Sequence, residues 1–304
     1  MRALTDSERR SGNLRGMGWM FLSGLCFAAM HASIRHAGET IHPFEIAFFR
    51  NLFGFLALTP LFLRYGLTPL KAKRPGLLGL RAVINLFAML AYFTALTLTP
   101  LADVAALGFT APIFATGLAA LILKEVVGWR RGAAIAVGFL GAMIVIRPGF
   151  SAVELGHVLV LGSALLWACA MLVIKRAAQY DSSLTITLYM GLMMTPLSLP
   201  FALTVWTWPQ GGEWLWLIAI GALGGAAQWA LTEALRQGET AVVMPVDFFK
   251  LIWAAVLGFV FFQQQPGLFT FLGGAVIFAA ATYIALRESR LRQPPPPAAR
   301  STPG

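Results

Sequence analysis

Ten long apolar runs, separated by short connections, constrain the fold of this chain more than any other sequence feature. A helix needs about 20 mostly apolar residues to cross the hydrocarbon core of a bilayer. Runs close to this length lie at about residues 17–35, 44–63, 77–98, 101–123, 132–147, 156–174, 184–205, 214–235, 241–262 and 268–286. The connections leave no room for a soluble domain. The sequence therefore predicts an all-α polytopic membrane protein with ten transmembrane helices.

The composition agrees with a chain embedded in a membrane. Hydrophobic residues make up 58% of the 304 residues and charged residues only 12%, about half the ~25% typical of soluble domains. A soluble enzyme, a disordered protein and a nucleic-acid binder are excluded as first interpretations. Cys26 and Cys169 both lie in apolar runs without metal-ligand spacing, so we predict neither a metal site nor a cofactor.

The net charge of +10 is interpreted as a topology signal, because cytoplasmic connections carry an excess of Lys and Arg. Placing the N-terminus in the cytoplasm assigns eighteen of the 23 basic residues to the cytoplasmic side, two to the outside and three to the spans. This predicts the cell inner membrane, with both termini cytoplasmic. Residues 1–16 form a cytoplasmic segment, and residues 288–304, which contain Pro294 to Pro297, form a disordered cytoplasmic tail.

An internal repeat with an offset of about 140 residues divides the chain into two halves. The segment SGLCFAAMHASIR from Ser23 aligns with SALLWACAMLVIK from Ser163, which pairs Phe27 with Trp167. The halves, residues 17–149 and 150–287, contain five spans each, and an odd number makes them cross the membrane in opposite directions. Inverted repeats of this kind place a substrate site near the bilayer midplane. The sequence therefore indicates a transporter.

The stretch APIFATGLAALILKEVVGWRRGAAIAVGFLGAMIVIRPG at Ala111–Gly149 and the FFRN at Phe48–Asn51 resemble the EamA family of the drug/metabolite transporter superfamily. The resemblance implies a ten-helix basket whose cavity is lined mainly by spans 1, 3, 4, 6, 8 and 9, with spans 5 and 10 more peripheral. It also places a Glu, here Glu125, at the cytoplasmic end of span 4. The second half has Gln263 to Gln265 in the corresponding segment, so no role of Glu125 extends to it.

Six charged residues within spans are the first candidates for a site, because each charge near the bilayer centre costs about 2.5–3.5 kcal/mol on insertion scales. They are Arg50, Arg81, Asp103, Glu233, Asp247 and Lys250. Three positive and three negative charges suggest pairing inside the bundle. Asp247 and Lys250, three residues apart on one helix face, are either a substrate-binding or proton-switchable pair or a structural ion pair.

Polar stripes on spans 3 and 8 supply further candidates. Asn85 and Tyr92 share a face with Arg81 and are predicted to contact substrate. Arg81 is either a gating or coupling residue or snorkels to the membrane interface. On span 8, Gln228 and Trp229 lie near the middle and are also predicted to contact substrate, although the small residues around them fit helix packing equally well.

The remaining candidates are assigned by position. Glu233 lies one turn from the inner end of its span, and we interpret it as a gating or coupling residue. His31 has the same interpretation, with a packing role as the alternative. Trp167 occupies the repeat position of an aromatic residue in span 1 and could stack on a ring-bearing substrate. Arg50 and Asp103 are interpreted as structural charges, the latter at a helix N-terminus.

These features predict a secondary transporter of a small organic metabolite, and the resemblance favours export of amino-acid-like, zwitterionic or amphiphilic compounds, including amino-acid-derived metallophores. Import of a cofactor-like molecule such as S-adenosylmethionine or riboflavin is the alternative, and a channel or structural subunit is a third class. The sequence contains no HExxH, GxSxG or GxxxxGK[ST] motif, so we predict neither an enzyme nor an ATP-driven pump. The predicted partners are the substrate and the lipid bilayer, with no nucleic acid and with a homodimer left open.

Overall fold

The computed structural model describes residues 6–64, 72–123, 129–147, 154–181, 183–238 and 240–291 and contains no β-strand within these ranges. Its α-helices, numbered in chain order, are α1 (Asp6–Ala37), α2 (Pro43–Arg64), α3 (Pro75–Leu98), α4 (Leu101–Gly108), α5 (Ala111–Leu123), α6 (Trp129–Ile146), α7 (Leu155–Ala177), α8 (Ser183–Leu203), α9 (Glu213–Gln237), α10 (Thr240–Val243), α11 (Phe249–Phe262) and α12 (Leu268–Leu291). Seven helical stretches in these ranges are long and apolar enough to cross a membrane, and two more are shorter apolar helices. Each of the ten predicted runs coincides with one helix or with consecutive helices. The protein is a multi-pass, all-helical membrane protein.

Two of the predicted runs are not single helices. The run at 101–123 is divided into α4 and α5, and the run at 241–262 is divided by a 3₁₀ turn, Met244–Phe248, that contains Pro245. The sequence analysis predicted the two spans but not these interruptions. Pro112 and Pro245 lack the N–H that would continue the helical hydrogen bonding. At the first break the Leu107 carbonyl accepts hydrogen bonds from both the N–H and the hydroxyl of Thr110, at 3.0 and 2.6 Å.

Helices of the first half pack mainly against helices of the second half. The most extensive contacts are those of α1 with α9, α3 with α7, α6 with α12 and α2 with α8. In terms of the ten runs these are the pairs 1–8, 3–6, 5–10 and 2–7. Exchanging the two halves maps this set of pairs onto itself, as expected for two related five-helix units. The main hydrophobic core spans this interface and draws residues from both halves.

The contact between α6 and α12 depends on two glycines. A Cβ atom added to Gly273 would lie 2.6 Å from the Gly141 carbonyl oxygen, and one added to Gly141 would lie 2.9 Å from the Gly273 carbonyl oxygen. Small residues let helix backbones approach closely in membranes. This pair therefore packs backbone against backbone.

Asp103 joins three helices at one end of the bundle. Its Oδ1 accepts a hydrogen bond from the Thr270 hydroxyl of α12 at 2.6 Å, and its Oδ2 lies 3.9 Å from Nε2 of His157 in α7. The carboxylate also lies in the first turn of α4, where the helix dipole favours a negative charge. Asp103 thereby connects the start of α4 to α7 and α12.

Some sequence expectations fall at the limits of the described residues. The tail was predicted to be disordered from residue 288, but α12 continues through Leu291, and residues 292–304 lie outside the described residues. Glu125 also lies outside them. In the corresponding segment of the second half, Gln264 Oε1 accepts a hydrogen bond from the Leu101 N–H at 3.1 Å. Gln264 therefore links the end of α11 to the start of α4.

Candidate functional site

A cavity of about 520 Å³ lies between the two halves. Its lining comes from α1, α2, α3, α4, α5, α7, α8, α9 and α11 and from the 3₁₀ turn, and no described residue of α6 or α12 contributes to it. The resemblance to the EamA family implied a cavity lined mainly by spans 1, 3, 4, 6, 8 and 9. It also implied that spans 5 and 10, which are α6 and α12, lie at the periphery. The structure adds α2 and α8, which belong to spans 2 and 7.

Asp247 and Lys250 form an ion pair in this cavity, at the break before α11. The Lys250 Nζ lies 2.9 Å from Asp247 Oδ1, and the two side chains are 21% and 17% exposed. A cation in the first turn of a helix is disfavoured by the helix dipole, so Lys250 depends on compensation from its surroundings. The Nζ also lies 5.3 Å from the ring centroid of Phe27 and 5.6 Å from that of Phe109. One carboxylate and two aromatic faces therefore surround the ammonium group.

Four rings form a continuous aromatic wall along the cavity. The His31 ring lies 6.3 Å from the Phe27 ring and 5.2 Å from the Tyr92 ring, and the Tyr92 ring lies 5.0 Å from the Trp167 ring. Phe27 and Trp167 are the residues that the repeat alignment pairs. The wall offers faces and edges on which a planar group can stack.

Neutral and cationic polar groups complete the lining. Asn85 is buried, and its Nδ2 has no hydrogen-bond partner among the described residues, so this donor is available to a ligand. Gln228 and Arg50 also line the cavity. The Arg50 guanidinium donates to Asn51 Oδ1 at 3.2 Å. Elsewhere on α2, Glu45 accepts hydrogen bonds from the backbone N–H and the hydroxyl of Thr207.

Four candidates lie away from this cavity. Trp229 is 56% exposed and packs edge-on against Trp19, with ring centroids 5.2 Å apart, so the structure does not bring it into the lining. Glu233 pairs with Arg236 near the end of α9. Asp103 lies in the three-helix junction described above. Arg81 lines a second, smaller cavity next to the first.

Sequence reasoning missed three features of the lining. Phe109, at the break between α4 and α5, was not a candidate, and Arg50 was considered only as a structural charge. Six methionines were also overlooked: Met20, Met30, Met89, Met171, Met190 and Met194. Prolines at corresponding spans of the two halves are a sequence signal for interrupted helices at a binding site, and Pro112 and Pro245 carried that signal.

Apolar spanning helices around a charged, aromatic-lined cavity are the architecture of a polytopic membrane transporter. The sequence profile of the EamA-like transporter family matches residues 14–147 and again residues 154–286. The chain therefore belongs to the EamA-like transporter family. Proteins of this family are transporters of the drug/metabolite transporter superfamily rather than enzymes, which confirms the sequence-based resemblance and the prediction of a non-enzymatic transporter.

Three curated relatives that match over most of their length are named as transporters of small molecules. The S-adenosylmethionine uptake transporter of Rickettsia felis is 28% identical, covering 91% of this chain and 94% of its own. The riboflavin transporter of Vibrio cholerae serotype O1 is 30% identical, covering 91% and 95%. The pseudopaline exporter CntI of Pseudomonas aeruginosa is 28% identical, covering 88% and 94%. These relatives are named for both uptake and export and for chemically different substrates.

A solved crystal structure shares the overall fold. It superposes with a TM-score of 0.60 at 19% identity and covers 94% of this chain and 100% of that chain. At this identity the match supports the fold of the chain and carries no information about its substrate.

Proposed function

We propose that this protein is a secondary transporter of a zwitterionic organic metabolite that combines an amino-acid-like group with a ring or other apolar body. The observation that carries the proposal is the ion pair of Asp247 and Lys250 inside an aromatic and methionine-rich cavity. Charges of both signs suit a zwitterion. The aromatic wall and the adaptable methionine side chains suit an apolar body.

The charges predict how such a substrate is oriented. The larger cavity contains the cations Arg50 and Lys250 and the anion Asp247, so the formal balance is positive and favours a carboxylate. A substrate ammonium or other cationic group competes with Lys250 for Asp247, and Lys250 then turns toward the substrate carboxylate. Asn85 and Gln228 provide hydrogen bonds without adding charge.

We also propose that residues 17–149 and 150–287 are two inverted repeats that alternately expose the cavity to the two sides of the cell inner membrane. The family profile matches twice, and an exchange of the halves preserves the helix pairs. Both interrupted spans meet at the cavity, as in other transporters with repeats. The excess of basic residues in the assigned inner connections supports cytoplasmic termini. The energy then comes from a gradient of an ion or of the substrate.

The two candidate directions of transport go with two different kinds of substrate. Export of an amino-acid-like compound is the sequence-based expectation, and the relative named as the pseudopaline exporter supports it. Uptake of a cofactor-like molecule is the second candidate. The relative named as the S-adenosylmethionine uptake transporter supports uptake. The aromatic wall and the relative named as a riboflavin transporter support a ring-bearing substrate.

Metabolite profiling of cells and medium, with and without the gene, tests both the substrate and the direction. We expect a zwitterion with an apolar body to change sides, and proteoliposomes containing the purified chain to transport it. Flux of uncharged solutes alone contradicts the proposal. Steady single-channel currents in planar bilayers would instead establish a channel.

A further inference from the structure

A second cavity of about 220 Å³ lies between α2, α3, α8 and α9. Two arginines, Arg50 and Arg81, line it, and Arg50 and Gln228 also line the larger cavity. The two cavities are therefore neighbours that share side chains. Glycines form much of the remaining wall of the smaller cavity: Gly54, Gly191, Gly221, Gly224 and Gly225.

In the described ranges, the arginines of the smaller cavity have only neutral hydrogen-bond acceptors. Arg81 donates to the Ile186 carbonyl at 3.1 Å and to the Met190 sulfur at 3.1 Å, while its buried Nε has no partner among the described residues. Arg50 donates to the Asn51 amide oxygen. Within the described part of the chain, no carboxylate lies within 4.0 Å of either guanidinium group. Two cations thus line one cavity without a matching anion.

Uncompensated charge of this kind is costly in a membrane protein and calls for an anionic partner. Buried charges occur in pairs or line a site that binds the opposite charge. Snorkelling does not explain Arg81, because its Nε is buried and its terminal nitrogens are held by α8. A guanidinium presents five N–H donors in a planar fork that matches carboxylate and phosphate oxygens.

We infer that the smaller cavity is an anion subsite in which Arg81 and Arg50 bind a carboxylate or phosphate group. Its volume of about 220 Å³ equals that of about seven waters, which admits such a group with a few more atoms but not a large ring system. This inference rests on the proposed function in one respect: the anion is a second acidic group of the transported substrate, whose body occupies the larger cavity.

Anion binding is tested first on the purified full-length chain in detergent, with inorganic phosphate and acetate as probes. We expect either probe to raise the melting temperature by about 3 °C relative to potassium chloride at equal ionic strength. Arg81→Gln removes this rise. The control Arg236→Gln removes the same charge outside both cavities and retains the rise. A wild-type protein that responds equally to all three salts, or an Arg81→Gln protein with the wild-type rise, overturns the subsite.

A second variant tests the subsite without removing a charge. A Cβ added at Gly225 has no atom within 4 Å, so Gly225→Leu places its side chain in open space at the wall of the smaller cavity. We expect this variant to fold and to lose the response to phosphate and acetate. Gly162 is equally open but lines neither cavity, and Gly162→Leu retains the response. A full response in Gly225→Leu contradicts the assignment even if Arg81→Gln does not fold.

Flux measurements in proteoliposomes identify the source of the anion. For the substrate found by metabolite profiling, we expect Gly225→Leu to raise the KM at least about tenfold. The analogue with hydrogen in place of its second acidic group does not need the smaller cavity and is transported with the same KM by both proteins. An unchanged KM, or a substrate with a single acidic group, overturns the substrate assignment and leaves a free anion as the ligand. If no zwitterion is transported, the proposed function fails, while the melting response still reports on the anion subsite by itself.

Discussion

Neutralising Asp247 separates a structural role of its ion pair from a role in transport. At 2.9 Å the attraction between the two unit charges is about 6 kcal/mol with an effective dielectric constant of about 20, and desolvation offsets much of it. Removing one partner of a buried pair strands the other, and we expect Asp247→Asn to lower the free energy of unfolding by about 3 kcal/mol. The stranded ammonium would lie in the first turn of α11, where the helix dipole disfavours a cation.

Neutralising Lys250 instead of Asp247 is expected to lower the free energy of unfolding by a smaller amount. Lys250→Met leaves a carboxylate just before α11, where the helix dipole favours a negative charge, and costs about 1 kcal/mol. The double variant strands no charge and also costs about 1 kcal/mol, so the coupling energy between Asp247 and Lys250 is about 3 kcal/mol. Transport, in contrast, is expected to be lost in both single variants and in the double variant, because the substrate-binding charges are gone.

The assay combines thermal unfolding of the purified variants with flux into proteoliposomes of matched protein content. Glu233 and Arg236 provide a matched control, since they are also an acid–base pair three residues apart but the Arg236 side chain is 69% exposed. Glu233→Gln is expected to change stability by less than about 0.5 kcal/mol. Additive single effects would refute the stranded-charge argument. A double variant that recovers both stability and transport would show that the pair is purely structural.

Three further predictions concern other parts of the bundle. Gln228→Leu is expected to change the ratio of kcat/KM between two substrates several-fold while expression stays normal, and equal kinetics for all substrates would argue against a substrate contact. Asp103→Asn and Thr270→Val are each expected to cost about 1–2 kcal/mol of stability, and fully additive costs in the double variant would contradict their hydrogen bond. Gly273→Leu is expected to prevent accumulation of folded protein in size-exclusion chromatography, because its Cβ would collide with the Gly141 carbonyl. A monodisperse peak of the Gly273→Leu protein at the elution volume of the wild type would disprove this close approach.

The spanning helices were predictable because hydrophobic length is a local property of the chain. The ten predicted runs agree with the helical segments to within a few residues, except that α1 begins at Asp6 and α12 extends to Leu291. The two interruptions were not predicted. A proline in an apolar run is compatible either with a kinked helix or with a break. The choice depends on whether the freed backbone groups line a cavity.

The composition of the site was only partly predictable. The spacing of Asp247 and Lys250 placed them on one face, and the structure pairs them. The neighbours Gln228 and Trp229 looked equivalent in the sequence, yet only Gln228 lines the cavity while Trp229 packs against Trp19. Arg50 was interpreted as structural and lines both cavities.

The sequence by itself determined that the chain is a multi-pass, all-helical membrane protein, the family to which it belongs and a short list of charged residues in the apolar runs. These properties follow from hydrophobicity and from residue identity, which are carried by each segment alone. Only the tertiary structure decided which face of each helix turns toward the cavity. Lipid and a packed helix are both apolar surroundings, so the hydrophobicity of a helix does not fix its rotation. That rotation is set by contacts between the two halves, such as those of α1 with α9 and of α3 with α7.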